Sequence, residues 1–212
     1  MRRVRVDCHV HTAVSGDAVL RVEQLAHRAV ELGLDVVFVT DHNETSAALA
    51  AQGRDLGVRI EVGEEIRTAD GEVLGLFLTE RIPYVLPVRE VVRRIRDQGG
   101  LVGLPHAFDP LRAGAAAVAD ALCAEGAVDF IEVFNAKVHD PRHNAAAVRL
   151  AERYGLPGTA GSDAHDVTGL GAAYLEMPAF GSAGEFRAGL SAADVVGELR
   201  PHAPRYPPAA PG

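Results

Sequence analysis

The chain has 212 residues, of which 48% are hydrophobic and 24% charged, and its formal net charge is −8. These values are typical of a single soluble globular domain, and no apolar run approaches the ~20 residues of a membrane span. The acidic balance argues against a surface for duplex nucleic acid, because that binding needs a basic face. A polar motif begins within seven residues of Met1 and leaves no room for a signal peptide, so a cytoplasmic location is expected.

Strand-length hydrophobic runs alternate with helical patterns along the chain. Seven strands are predicted, at 4–7, 36–40, 58–63, 73–78, 101–105, 130–134 and 158–161. Six amphipathic helices are predicted, at 19–32, 44–55, 87–98, 115–123, 141–154 and 183–190. Repeated βα units with apolar strands indicate a parallel sheet covered by helices, all within one domain over 1–200. The proline-rich segment 201–212 is expected to be extended or disordered.

Polar residues that suit a metal site fall at or just beyond the carboxyl ends of the predicted strands: His9 and His11, His42, Glu65, His106, Asn135, and Asp163 with His165. A closed βα barrel gathers those ends around one mouth, whereas an open sheet would spread them along an edge. We therefore predict an α/β barrel with fewer than eight units.

His9 and His11 stand two residues apart in the first predicted strand. Side chains at this spacing leave the same face of a strand, and two neutral imidazoles on one face chelate divalent transition metals. Cys8 and Cys123 form neither a CxxC motif nor a disulfide framework, and both are interpreted as small core residues.

Five motifs occur in order: DxHxHT at 7–12, TDHN at 40–43, GxE at 63–65, a histidine at 106 and SDAH at 162–165. In these motifs the chain resembles the PHP (polymerase and histidinol phosphatase) family of metal-dependent phosphoesterases, from residue 7 to about residue 171. The resemblance implies a distorted seven-stranded βα barrel, in agreement with the strand count.

The resemblance also implies a trinuclear metal site, with two to three divalent ions of Zn, Mn or Fe. Glu65, not Glu64, matches the carboxylate that bridges two metals. Glu72 stands where many members carry a histidine. The full set of expected metal ligands is His9, His11, Asp17, His42, Glu65, Glu72, His106, Asp163 and His165.

The expected chemistry is attack by a hydroxide that the metals share, held at Glu65 and Asp163, because paired cations lower the pKa of water to roughly 7. The leaving alkoxide needs a proton, for which His42 or His165 is the candidate acid, with a metal-bound water as the alternative.

Several further residues are candidates for supporting the site. Arg112 is a candidate phosphate clamp and Asn135 a candidate substrate contact. Asp7 and Asp41 adjoin ligands and are expected either to orient imidazoles or to fill turn positions. Lys137 lies in the loop after the sixth strand and is expected to be solvated more often than to touch substrate.

The leading hypothesis is a phosphoesterase acting on a small phosphorylated metabolite or nucleotide. A short or terminal nucleic acid stays open as substrate, because bound cations would offset much of the negative charge. One alternative is an amidohydrolase-type hydrolase of C–N bonds. Such enzymes often use a carboxylated lysine at the fourth strand, but Lys137, the only lysine, follows the sixth. The other alternative is a catalytically silent metal-binding domain, which we would expect to have lost several ligands.

Overall fold

The computed structural model describes residues 2–200, which contain nine strands and six helices. The strands are β1 Arg3–Val10, β2 Val36–Val39, β3 Arg59–Thr68, β4 Gly71–Leu76, β5 Leu101–Leu104, β6 Phe130–Asn135, β7 Gly158–Gly161, β8 Ala173–Pro178 and β9 Asp194–Gly197. The helices are α1 Val22–Leu32, α2 Ser46–Ala51, α3 Val88–Asp97, α4 Ala116–Ala124, α5 Pro141–Tyr154 and α6 Ala183–Gly189.

All seven predicted strands and all six predicted helices are present, with bounds that differ by a few residues. Across residues 2–200, no helix has the length and apolar character needed to cross a membrane. The tail predicted at 201–212 lies outside the described residues.

The sheet curls into a nearly closed barrel, which confirms the predicted fold class. Its strands follow the order β7-β6-β5-β4-β3-β2-β1-β8-β9. The end of β7 returns to β1, where the Asp163 amide donates to the His9 carbonyl at 2.7 Å and the His11 amide donates to the Ala164 carbonyl at 2.9 Å. The first half of β1 pairs instead with β8, in antiparallel register. β1 therefore closes the barrel with β7 only near the mouth.

Strand β4 runs antiparallel to both neighbours, so the prediction of an all-parallel sheet was wrong. β3 and β4 form a hairpin in which Thr68 pairs with Gly71. A parallel return would need a crossover of about a dozen residues, and only two separate these strands. The reversal brings the start of β4 to the mouth and sets Glu72 opposite Arg67 of β3.

The sheet has nine strands rather than the predicted seven. β8 alternates buried and half-buried residues, the period of a strand with one covered face. β9 is a four-residue, largely exposed edge strand whose sequence carries no periodic pattern. Both follow the last motif of the chain, and both continue the sheet beyond β1.

Two apolar clusters hold the barrel together. The inner cluster joins residues of seven strands, among them Phe38 and Phe130, with Phe186 of α6. The outer cluster lies between the sheet and helices α1 to α5. Cys8 belongs to the inner cluster and Cys123 to the outer one, both buried and free as predicted. The apolar filling leaves the mouth as the place where polar side chains converge.

Candidate metal centre

The carboxylate of Glu65 is the hub of the mouth, with four imidazoles around it. Glu65 Oε2 lies 3.2 Å from Nε2 of His9, 3.2 Å from Nε2 of His11 and 3.1 Å from Nδ1 of His42. Its other oxygen, Oε1, lies 2.8 Å from Nε2 of His106. One carboxylate therefore touches side chains at or just beyond the ends of β1, β2 and β5, which is the position expected for a bridging ligand.

Asp163 and Asp17 are two further hubs beside Glu65. Asp163 Oδ1 lies 3.5 Å from Nε2 of His11 and 3.5 Å from Nδ1 of His165. Asp17 Oδ2 lies 3.4 Å from Nε2 of His42 and 3.1 Å from Nε2 of His165. The two histidines that Asp17 touches also reach the other two hubs, so the three carboxylates belong to one continuous network.

The structure brings together all nine of the residues expected as ligands. Eight of them fall into four overlapping groups with the spacing that a metal ion requires: His9, Glu65 and His106; His9, His11 and Asp163; His11, His42 and His165; and His42, Glu65 and Glu72. Asp17, the ninth, contacts the third group. That these residues bind metal remains a prediction; their convergence is a structural fact.

Glu132 of β6 is a site residue that the sequence did not reveal. Its side chain is buried and accepts from Nδ1 of His9 at 2.9 Å, from the backbone amide of His106 at 2.7 Å and from Nδ2 of Asn135 at 3.0 Å. The available signal was a glutamate inside an otherwise apolar strand, since a buried carboxylate needs partners. Glu132 thus fixes two candidate ligands from behind.

Gly161 allows β7 to approach β1 closely enough to form the site. A Cβ atom at this position would lie 2.3 Å from Cβ of His9 and 2.7 Å from Oε1 of Glu132. Any larger residue at the end of β7 would displace the contact between His9 and Glu132.

Two candidate ligands have strained backbones. His106 has φ 24° and Asp163 has φ 52°, in the left-handed region that residues with a Cβ seldom adopt. Such conformations cluster at functional sites, where surrounding contacts hold them. Here the amide of His106 donates to Glu132 and the amide of Asp163 donates to the His9 carbonyl.

Among residues 2–200, neither Asp7 nor Asp41 contacts an imidazole directly. Asp7 accepts from the backbone amides of Ser162, at 3.0 Å, and of two other residues, so it fastens the segment after β7 to β1. Asp41 accepts from the hydroxyl of Ser15 at 2.8 Å, and that hydroxyl lies 3.1 Å from Nδ1 of His11. Asp41 therefore orients an imidazole only through Ser15.

Three side chains crowd Asp163, from the loop after β5, the end of β6 and the loop after β6. Arg112 forms an ion pair with its Oδ2, Asn135 Nδ2 donates to the same oxygen at 3.1 Å, and Lys137 Nζ lies 3.6 Å from Oδ1. Lys137 also lies 3.0 Å from Nδ1 of His165. The expectation that Lys137 is solvated was wrong, because its side chain is only 13% exposed. Arg112 and Asn135 both reach Asp163 at the mouth, and their contact with substrate stays a prediction.

Charge within the network shifts the pKa values of its members. Burial favours the neutral form of Glu65, but His9, His42 and His106 overcome it and hold the pKa of Glu65 well below its usual range. Burial likewise opposes the ionised form of Asp163, and Arg112 leads the charges that hold its pKa well below normal. Both carboxylates are therefore ionised at neutral pH, as metal binding requires.

The histidines respond in two directions. Burial, with the positive charge of His42 and His165, holds the pKa of His11 well below its usual range, so its ring is neutral. Burial also disfavours charge on His42, yet Glu65 and Asp17 prevail and raise its pKa to about 9. The mouth thus has an excess of negative charge around His42, which attracts protons and metal cations alike.

The donor set fits a transition metal. Nδ1 of His9 faces Glu132 and Nδ1 of His11 faces Ser15, which leaves both Nε2 atoms for the interior of the mouth. Those two Nε2 atoms lie only 3.0 Å apart. Burial opposes charge on His9, yet Glu132, Glu65 and Asp163 raise its pKa well above the usual value, so this short contact can hold a proton or a metal cation. Oδ1 of Asp163 is also buried without a hydrogen-bond partner among residues 2–200. Mixed imidazole and carboxylate ligands suit Zn, Mn or Fe better than Ca.

Comparison with known sequences establishes the family. The PHP domain profile matches residues 7–143, more than half of the chain, and a PHP-associated profile matches residues 141–200. The chain therefore belongs to the PHP family, as its motifs predict.

Curated relatives share up to about a third of the aligned residues. Uncharacterized protein MJ0417 of Methanocaldococcus jannaschii is 35% identical over 177 residues, covering 82% of this chain and 70% of the relative. Uncharacterized protein MJ1587 of the same organism is 34% identical over 149 residues, covering 65% of this chain and 85% of the relative. A 5'-3' exoribonuclease of Haemophilus influenzae is 27% identical over 130 residues, covering 55% of this chain and 46% of the relative.

Solved structures share the fold at lower identity. PsfC from Pseudomonas syringae superposes with a TM-score of 0.71 at 24% identity, covering 93% of this chain and 92% of PsfC. A two-domain protein of Bacteroides vulgatus contains a predicted PHP-like metal-dependent phosphoesterase. It superposes with a TM-score of 0.68 at 20% identity, covering 93% of this chain and 65% of that protein. An amidohydrolase of Chromobacterium violaceum with bound sulfate superposes with a TM-score of 0.59 at 17% identity, covering 76% of this chain and 87% of that protein.

Proposed function

We propose that this chain is a metal-dependent phosphoesterase that hydrolyses a phosphate ester of a small metabolite or nucleotide. The observation that carries this function is the convergence of nine imidazole and carboxylate side chains on one mouth, with two cationic side chains beside them. A PHP-like relative of known structure is described as a predicted metal-dependent phosphoesterase, which supports the same class.

The residues around Glu65 and Asp163 would hold two to three divalent ions of Zn, Mn or Fe. Such ions activate water near neutral pH and neutralise the charge of a phosphoryl group. The buried Glu132 and the Ser15 hydroxyl keep the rings of His9 and His11 turned with Nε2 inward. These two contacts hold His9 and His11 in the orientation that metal binding needs.

Arg112, Lys137 and Asn135 would bind the phosphate. All three reach Asp163, so a phosphoryl group bound next to Asp163 lies within reach of their N–H groups. The guanidinium of Arg112 matches two phosphoryl oxygens at once, while Lys137 adds a point charge. Together they would orient the ester and offset its negative charge.

In the reaction a water molecule loses one proton to solvent and its oxygen bonds to phosphorus, the bond from phosphorus to the ester oxygen breaks, and the leaving alkoxide takes a proton. We assign the donation of that proton to His42 or His165. Their side chains are 26% and 13% exposed, whereas those of His9, His11 and His106 are completely buried. Of these five rings, only those of His42 and His165 present any surface that an entering substrate can reach.

The proposed substrate is a small phosphorylated molecule. The proposed enzyme is cytoplasmic and has neither a surface for duplex nucleic acid nor a membrane partner. The end of a short nucleic acid is the second candidate, because the relative in Haemophilus influenzae is named as a 5'-3' exoribonuclease. An amidohydrolase activity has weaker support, since the name of the Chromobacterium violaceum protein comes with 17% identity.

Elemental analysis and a phosphate-release assay test this function. Purified protein should carry two to three equivalents of Zn, Mn or Fe. With added Mn or Zn it should release phosphate from some member of a panel of sugar phosphates, nucleotides, bisphosphates and short oligonucleotides.

Single substitutions test the site itself. His42→Ala and Asp163→Ala should each abolish phosphate release while the fold survives. His27→Ala, which removes an exposed imidazole on α1, should keep full activity. Less than one metal equivalent after reconstitution, or full activity in both site variants, would exclude the proposed mechanism.

A further inference from the structure

Three exposed valines stand on loops that border the mouth. Val14, Val19 and Val167 are 45%, 58% and 40% exposed, and we call them the valine rim. Their loops are joined by hydrogen bonds, from the Ala13 amide to the Leu20 carbonyl at 2.8 Å and from the Val19 amide to the His165 carbonyl at 2.9 Å. The loops after β1 and β7, which carry the rim, are therefore joined to each other.

Each rim valine is within two residues of a side chain in the metal centre. Val14 precedes Ser15, which touches His11; Val19 follows Asp17 by two residues; and Val167 follows His165 by two residues. The loops that carry the rim therefore border the metal centre.

Packing within the described chain does not account for these valines. An exposed branched aliphatic side chain contributes little to a core, and single exposed residues need no explanation. Three on joined loops around a charged site are different, because ligand pockets combine apolar walls with a few polar groups.

The cationic groups come from other loops. Arg112 follows β5 and Lys137 follows β6, and both face Asp163. The mouth therefore presents positive charge from the loops after β5 and β6, and apolar surface from the loops after β1 and β7. A ligand that satisfies both is amphiphilic, with a phosphate at one end and an apolar group at the other.

We propose that the substrate is a phosphate ester whose alcohol portion carries an apolar group, and that this group packs on the valine rim when the phosphate binds beside Arg112. The apolar group is a hydrocarbon or the face of a nucleobase, since both offer a surface that valine can cover. This assignment rests on the proposed phosphoesterase function and adds the class of the leaving alcohol.

Two matched pairs of esters test the rim. 2-Phenylethyl phosphate and ethyl phosphate differ by a hydrocarbon ring, and adenosine 5'-phosphate and ribose 5-phosphate differ by a base. Within each pair the phosphate is on a similar primary alcohol, so the chemical step is comparable. We expect kcat/KM to favour the larger ester by about ten-fold or more in at least one pair.

Substitutions on the rim should remove that preference. The double variant Val19→Ser, Val167→Ser should lose most of the ratio between the paired esters. Val30→Ser, an equally exposed valine on α1, is the matched control and should keep the wild-type ratio. A preference in the hydrocarbon pair alone indicates a lipid-like alcohol, and one in the base pair alone indicates a nucleotide; either supports the rim.

Equal kcat/KM values in both pairs, or a preference that survives in the double variant, would overturn the rim assignment while phosphoesterase activity stands. Hydrolysis of no ester in the wider panel would contradict the phosphoesterase function, and the rim assignment would fall with it.

Discussion

Glu64 and Glu65 are consecutive, fully buried residues of β3, yet they lie in opposite environments. Glu65 points into the mouth and touches four imidazoles. Glu64 points to the other face of the sheet, where its Oε2 accepts from the Ile82 amide at 2.9 Å and its Oε1 has no partner among the described residues. Alternation along a strand thus separates two identical side chains into two layers of the molecule.

The difference shows that the neighbouring charges, not burial, decide whether a buried glutamate is ionised. Burial raises the pKa of Glu64 to about 7, because few positive charges oppose it. The same burial acts on Glu65, but the imidazoles hold its pKa well below the usual range. Glu64 is therefore about half protonated near pH 7, whereas its neighbour Glu65 is ionised.

The largest effect is expected from Glu65→Gln. The amide keeps the size of the side chain but loses the charge that would hold two metal ions. Losing a cation that supplies several kcal/mol corresponds to a fall in kcat on the order of 10³-fold. Elemental analysis and phosphate release would measure it. Glu64→Gln is the matched control, and a similar loss in both variants would contradict the division between the two faces.

The second prediction concerns stability and the other glutamate. Between the ordinary pKa of 4.5 and the raised value of about 7, an unfolded chain releases the Glu64 proton while the folded chain keeps it. Stability therefore falls as pH rises, by ~1.36 kcal/mol per unit and about 3 kcal/mol in all. Glu64→Gln lacks this titration.

Denaturant unfolding of the wild type and Glu64→Gln at pH 4 and pH 8 would measure this effect. The free energy of unfolding of the variant, minus that of the wild type, should be about 3 kcal/mol larger at pH 8 than at pH 4. Titration of the other groups is common to both proteins and cancels in the difference. A difference that does not change with pH would show that Glu64 is ionised in the fold.

The motifs predicted the site better than the sheet around it. His9, His11 and the SDAH segment could be placed because ligand residues occur at fixed spacings and strand ends. Glu132 was missed because its partners, His9 and His106, are distant in sequence. The reversal of β4 was missed because a hydrophobic run carries no direction. Lys137 was misjudged because a loop sequence does not show which carboxylate it meets.

A third prediction tests how closely the inner face is packed. Gly161→Ala would push a methyl group against Cβ of His9, 2.3 Å away. Overpacking of this kind destabilises by about 2 kcal/mol, and it would also separate His9 from Glu132. Gly184→Ala on α6 is the control, because no atom lies within 4 Å of its added Cβ. Urea unfolding should show a loss only at Gly161, and equal stabilities of the two variants would contradict the close approach of β7 to β1.

The smallest effect is expected from a third buried glutamate, Glu132, which supports the mouth without facing it. In the wild type both oxygens of Glu132 accept hydrogen bonds, one from Nδ1 of His9 and the other from His106 N and Asn135 Nδ2. In Glu132→Gln one of these oxygens becomes an NH₂ group. The new NH₂ group therefore faces an N–H donor and cannot form a hydrogen bond with it. Partners behind a metal ligand contribute about ten-fold or more to metal affinity, so we expect roughly ten-fold weaker binding, measured by competition with a chelator. The fall should exceed that in Glu64→Gln, whose side chain touches no candidate ligand ring. Equal affinity in the two variants would place Glu132 with Glu64, as a glutamate that is buried but does not support the metal centre.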